Sequence, residues 1–228
     1  MKTARRLPQT QERKRIFLVD DHPITRYGLA QLINLQVDMA VCGDAETAAG
    51  ALAAIKSARP DLVLADITMP GKSGLEFIKD MQAQSPGVPV LAVSMHDENI
   101  YAERVLRAGG RGYIMKYEGG ERILEAIRQV LRGQVYVSKS TSAALLDHLT
   151  RPHPQPKEPM PGALSDREFE VFQLIGQGLS ARQIGDRLNL SVKTVDTHRQ
   201  HIKQKLNLRT GPELIRQAVR WAAAQQLV

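Results

Sequence analysis

The stretch Asp61-Leu-Val-Leu-Ala-Asp-Ile-Thr-Met-Pro-Gly71 decides the fold of this chain. Leu62 to Ala65 form an unbroken apolar run, the pattern of a strand covered on both faces in a parallel sheet. Asp66 then stands at the strand's C-terminal tip, and Pro70-Gly71 turns the chain. Open α/β sheets bind their ligands at that edge.

Outward from this strand, residues 15–133 alternate strand and helix five times. Ile16–Val19 ends in Asp20-Asp21 and is followed by a helix from Ile24 to Leu35, with Ile24, Tyr27/Gly28, Leu32 and Leu35 at helical spacing. Met39–Cys42 is strand two, followed by a helix over 47–58. Leu75, Ile78 and Met81 share one side of a helix over 74–84 that follows the central strand. Val88–Val93 is strand four, ending at Ser94, with a helix over 99–108. Tyr113–Met115 is strand five, ending at Lys116, with a last helix over 121–131. This alternation predicts a doubly wound, five-stranded parallel sheet with helices on both faces. A short extended piece at 135–137 and a helix over 141–149 follow, and then five prolines between Pro152 and Pro161 read as a stiff linker.

A second, all-α domain begins at a capping box, Ser165-Asp-Arg-Glu168, with Leu164 and Phe169 as its hydrophobic staple. The device recurs at Ser180-Ala-Arg-Gln183 and Thr210-Gly-Pro-Glu213, and Ser191 is a further cap. Four helix starts with short links predict a four-helix unit of the helix-turn-helix kind. The expected division is a disordered basic tail at 1–14, an α/β domain at 15–133, a linker at 134–163 and the helical domain at 164–228.

The net charge of +7 is unevenly spread: residues 14–133 carry 14 basic against 15 acidic side chains, and 165–228 carry ten against six. The surplus suggests a polyanion partner for the C-terminal part. The single cysteine, Cys42, excludes an intramolecular disulfide and fits a buried thiol in a reducing compartment. No apolar run approaches the roughly 18 residues that span a membrane, and Met1 to Arg15 lacks the apolar segment of a signal peptide. A cytoplasmic protein is expected.

All parallel strands end on one edge, so Asp20, Asp21, Asp66, Ser94 and Lys116 should converge there. Three carboxylates repel one another unless a hard cation lies among them, and oxygen ligands of this kind suit Mg2+. The cation and Lys116 would neutralise an incoming phosphoryl group, Ser94 could hydrogen-bond it, and Asp66 would be the nucleophile that forms an acyl phosphate.

On these residues, 15–133 resembles the receiver domain of two-component response regulators. The resemblance implies that Asp21, Asp66 and the backbone carbonyl of Thr68 ligate Mg2+, while Asp20 holds a metal-bound water. It also makes Tyr113 the switch aromatic, which would rotate inward as Ser94 moves toward the phosphate. Met95, bulkier than the residue often found after the hydroxyl position, would shield the phosphoryl group.

Within the second domain, the segment 191–206 is the candidate reading helix. Val195, Ile202 and Leu206 share an inward face, with Lys193, Thr197, Gln200 and Gln204 opposite, Asp196 beside them and cations at the edges. Leu164 to Trp221 resembles the LuxR-type helix-turn-helix of the NarL/FixJ response regulators, through Leu-Ser-Asp-Arg-Glu168, Gly178-Leu-Ser180, Gln183-Ile184 and Leu190-Ser-Val-Lys-Thr-Val-Asp-Thr-His198. The resemblance implies phosphate contacts by Lys193, Thr194, Arg199 and Lys203, and base contacts by Asp196, Thr197 and Gln200. It implies a sensor histidine kinase, double-stranded DNA and RNA polymerase as partners, a homodimer on DNA, and no enzyme in the ordinary sense. Three other readings are weighed. An aspartyl-phosphate phosphatase would want a second acid where Thr68 stands, a phosphorylation-independent regulator would have no use for the full acidic site, and RNA binding would want aromatic platforms.

Overall fold

Strand β3 (Leu62–Ala65) lies at the centre of a five-stranded parallel sheet of order β2-β1-β3-β4-β5. Its neighbours are β1 (Lys14–Val19) and β4 (Val90–Ser94), flanked by β2 (Met39–Ala45) and β5 (Gly112–Met115). The computed structural model describes residues 13–150 and 164–226. The expected proline-rich linker and residues 1–12 of the expected tail lie outside the described residues. Arg13 and Lys14 are not loose: Arg13 donates to the carbonyls of Asn34 and Gln36, and Lys14 opens β1.

Strand alternation divides the core into two layers. Ile16, Leu18, Leu62, Leu64, Leu91, Val93 and Ile114 face α1 (Pro23–Asn34) and α5 (Gly120–Leu131). Phe17, Val19, Val63, Ala65, Val90, Ala92 and Tyr113 face α2 (Ala48–Ala58), α3 (Gly74–Gln84) and α4 (Glu98–Arg107). Pairings such as Ile16 with Leu62, Val63 with Val90 and Ala92 with Tyr113 set the strand ends level on one edge. The doubly wound expectation is met.

Helix α1 meets the sheet through one of its apolar stripes. Its buried residues are Leu29 and Ile33, whereas Ile24, Tyr27 and Leu35 are exposed. At 100° per residue the helix carries apolar stripes on two opposite faces, and only one can meet the sheet. Cys42 is half-buried in β2 rather than fully enclosed, and burial still pushes its thiol up from the usual value.

Past α5 the chain stays attached to the sheet domain. Tyr136 bridges to Gly112 beside β5, and the Ser138 amide donates to Glu98 at 2.6 Å. Helix α6 (Lys139–Thr150) follows. The second domain comprises α7 (Asp166–Gly176), α8 (Ala181–Leu188), α9 (Val192–Lys205) and α10 (Gly211–Gln226). The boxes at Ser165 and Ser180 form reciprocally, and Ser191 caps α9 through the Thr194 amide. At the third expected box, Thr210 Oγ1 accepts the Glu213 amide, and the Glu213 carboxylate accepts from the Thr210 amide and from that of Arg209, the latter at 2.7 Å.

Candidate phosphoryl site and reading helix

The level strand ends gather the expected acidic group. Lys116 Nζ donates to Asp66 Oδ2 at 2.7 Å and to Asp20 Oδ2 at 2.6 Å. Each side chain arrives from a different strand end, and the amide of Lys116 is itself held by the Ser94 carbonyl. Thr68 donates its amide to Asp66 Oδ1 at 3.2 Å. Burial raises the Asp66 carboxyl above its ordinary value, and the Lys116 ammonium only partly restrains that rise. Burial alone would lower Lys116, but Asp66 and Asp20 hold it above its usual value. An acid and a base with a shared, dry environment of this kind mark a site rather than a surface ion pair.

Donor atoms of Asp20, Asp21, His22 and Asp66 all lie within 4.8 Å of one another, a cluster that could hold a cation. Asp21 Oδ1 is sheltered from water. It lies 2.9 Å from His22 Nδ1 without the geometry of a hydrogen bond. A buried carboxylate oxygen lacking a hydrogen-bond donor suits a hard cation. His22, also the N-cap position of α1, is the member that sequence reasoning left out; a histidine next to two acids was its only signal.

Gly74, at the first turn of α3, allows this helix to pack beneath the acidic edge. A Cβ there would lie 2.1 Å from the Asp66 carbonyl oxygen and 2.6 Å from the Ile67 Cα. Both are backbone atoms, so no rotamer change would relieve the contact.

Tyr113 is fully buried, its hydroxyl donating to the His96 carbonyl at 2.7 Å and hydrogen-bonded to Ser94. The ring therefore points inward. Met95 is 65% exposed. His96, not Met95, fills the space beside Thr68, with Nε2 2.6 Å from Thr68 Oγ1. Burial lowers the His96 imidazole from its usual value, helped by Arg187 and Lys116.

Arg187 belongs to the second domain, which docks directly on this loop. A small cavity between the domains is lined by Thr68, Met69, His96, Glu170, Gln173 and Arg187 among others. Arg167 on α7 donates to the Gly71 carbonyl in the turn after β3 at 2.9 Å, to the Leu188 carbonyl at 2.7 Å and to Glu170 at 2.7 Å. Burial pushes the Glu170 carboxyl up to about 7 against the pull of Arg167, with Glu76 adding to the rise and Ser73 opposing it. Asp166 pairs with Lys79 at 2.6 Å and Arg104 at 3.1 Å, and Arg104 lies over the Phe169 ring at 4.1 Å. Tyr101 of α4 donates to Gln173 of α7.

The reading helix α9 buries Val195, Ile202 and Leu206, and exposes Lys193, Asp196, Thr197, Gln200 and Gln204, as expected. The receiver-side contacts thus leave this polar face open. Arg199 and Lys203 lie on its flank, half-buried, and Arg199 pairs with Asp196 at 3.3 Å. Thr194 bonds Ser191 at the helix start. Lys205 pairs with Glu168 at 2.6 Å. Burial would raise Glu168, but Lys205 and Ser165 hold its carboxyl below the usual range.

Comparison with known proteins finds two family matches along the chain. Residues 16–128 match the response regulator receiver domain, and 162–218 match the bacterial regulatory proteins of the luxR family. The oxygen regulatory protein NreC of Staphylococcus carnosus is 34% identical over 211 residues, covering 90% of this chain and 97% of that protein. A LuxR-family two-component response regulator from Aurantimonas is 29% identical, with a TM-score of 0.57 over 61% of this chain and all of that structure. The RcsB response regulator of Salmonella typhimurium shares the fold at 21% identity, with a TM-score of 0.66 over 91% of this chain and 98% of that one.

Proposed function

Because the chain belongs to the LuxR-type two-component response regulators of the NarL/FixJ family, we propose that Asp66 accepts a phosphoryl group and that the helical domain answers by regulating transcription from DNA. The observation that carries this reading is Lys116 bridging Asp66 and Asp20 on the edge where the strands end. An Asp66 carboxylate oxygen attacks phosphorus, the bond from phosphorus to a phosphohistidine nitrogen of a sensor kinase breaks, and an acyl phosphate forms. Lys116 supplies positive charge to the transferred group, and the Ser94 hydroxyl donates to one of its oxygens once it turns from Tyr113. Asp20, Asp21, Asp66 and the Thr68 carbonyl would hold Mg2+. When bound, that cation offsets the negative charge of the phosphoryl oxygens.

The proposed division is a receiver at 15–133, a linker at 134–163 and a DNA-binding domain at 164–228. Lys193, Thr194, Arg199 and Lys203 contact phosphates, while Asp196, Thr197 and Gln200 face base edges in the major groove. Two copies on DNA would read paired half-sites and meet RNA polymerase there. No helix among the described residues is long and apolar enough to cross a membrane, which agrees with a cytoplasmic site of action.

Asp66→Ala tests the reading. With labelled acetyl phosphate and Mg2+, wild type should acquire an acyl phosphate and bind promoter DNA more tightly, and the variant should do neither. Full acetyl-phosphate response in the variant would overturn it.

A further inference from the structure

The reading helix α9 carries a single acidic side chain, and it is exposed. Asp196 is 56% exposed and stands between the outer row of Lys193, Thr197 and Gln200 and the flank that holds Arg199 and Lys203. A carboxylate beside phosphate-facing cations weakens binding to any DNA, because phosphates repel it and it competes for the cations. Its contribution is to discrimination among sequences rather than to affinity.

The bonds along the helix decide which atoms are left for the bases. Thr197 donates its hydroxyl to the Lys193 carbonyl at 3.0 Å, so this exposed residue has no free donor. Arg199 Nη1 donates to Asp196 Oδ1 at 3.3 Å, and Asp196 Oδ2 has no hydrogen-bond partner among the described residues. A carboxylate accepts and cannot donate. In the major groove guanine shows O6 and N7 and thymine shows O4, all acceptors that a carboxylate repels. Adenine offers its N6 amine only beside the N7 acceptor. Cytosine offers its N4 amine with no acceptor next to it on the same base edge.

We propose that Asp196 is the specificity-determining residue of α9, and that it selects a cytosine in each half-site by accepting a hydrogen bond from the N4 amine. The inference rests on α9 being the helix that enters the major groove. Arg199, which meets Asp196 through Oδ1, stays on a neighbouring phosphate and adds affinity for every sequence. The carboxylate rejects the other three bases at that place, and guanine most, since its O6 and N7 are both acceptors.

The test uses the full chain with acetyl phosphate, Mg2+ and random synthetic duplexes. Sequencing the bound fraction gives the preferred site, and titration then measures that site with each base pair replaced in turn. In wild type one C·G pair per half-site should not tolerate replacement, each change weakening binding about tenfold. Asp196→Ala should bring that preference to within about twofold, and it should bind the replaced sites more tightly than wild type does, because the repelling charge is gone. Arg199→Ala should weaken all sites alike and keep the preference for cytosine. An Asp196→Ala chain that still prefers cytosine there would overturn the proposal, as would loss of the preference in Arg199→Ala, which would make Arg199 the reader. If the preferred site responds to Gln200→Ala and not to Asp196→Ala, α9 remains the reading helix and only the cytosine assignment falls. If wild type selects no sequence at all, the reading helix falls and this proposal with it.

Discussion

Glu170→Gln should remove a pH dependence from the stability of the second domain. Glu170 is buried between α7 and the α3 end of the receiver, with Arg167 on its own helix, Ser73 and Glu76 on α3, and Arg187 and His96 on the cavity wall. Burial raises its carboxyl from an ordinary 4.5 to about 7, a displacement worth about 3 kcal/mol. The sign follows from proton uptake. Between those values the folded chain holds a proton on Glu170 that the unfolded chain has released. The stabilisation is therefore complete below pH 4.5, falls as pH rises, and is gone above about 7. Glutamine keeps the shape and one acceptor for Arg167 but cannot ionise. Trp221 packs on Phe169 and Phe172 and is the only tryptophan, so its fluorescence reports unfolding of this domain in urea. From pH 5 to pH 7.5 the wild type should lose about 2 to 3 kcal/mol relative to Glu170→Gln. Stability curves that stay parallel across that range would refute the reasoning.

Two further outcomes follow from the geometry. Gly74→Ala must push backbone away from the Asp66 carbonyl oxygen, so it should destabilise the receiver by about 2 kcal/mol or more and slow loading, as urea unfolding and acetyl phosphate assays would show. If Lys193, Arg199 and Lys203 each neutralise a DNA phosphate, replacing one by alanine should reduce the slope of log affinity against log salt by about 0.9, measured by DNA titration at several salt concentrations.

The strands, their order of polar tips and the starts of α7, α8 and α9 were legible in the sequence because each is written in local pattern: apolar runs, turn residues and cap spacings. The spacing of Ile24, Tyr27 and Leu35 marked α1 as a helix but left its inward face open, since Leu29 and Ile33 repeat as regularly. Periodicity names stripes but not which stripe meets the sheet. The contacts between domains were invisible for a different reason. Tyr101 and Gln173 are 72 residues apart, as Arg167 and Gly71 are 96, and no local spacing encodes such pairs. Helix α7 hints at them only by being buried from Glu168 through Phe172 without a polar face, which requires neighbours on more than one side.

Glu168 closes the capping box of α7 and also receives Lys205 from the end of α9. One carboxylate therefore fastens the start of one helix and the finish of another 37 residues away. The two ends should fray together, so that amide protons near Ser165 and near Leu206 exchange with solvent at a shared opening rate instead of as separate termini. In Glu168→Gln that shared opening should divide into two, each faster than before. The reading helix then has no independent local unfolding at its C-terminus, and its order is tied to the first turn of the domain that carries it.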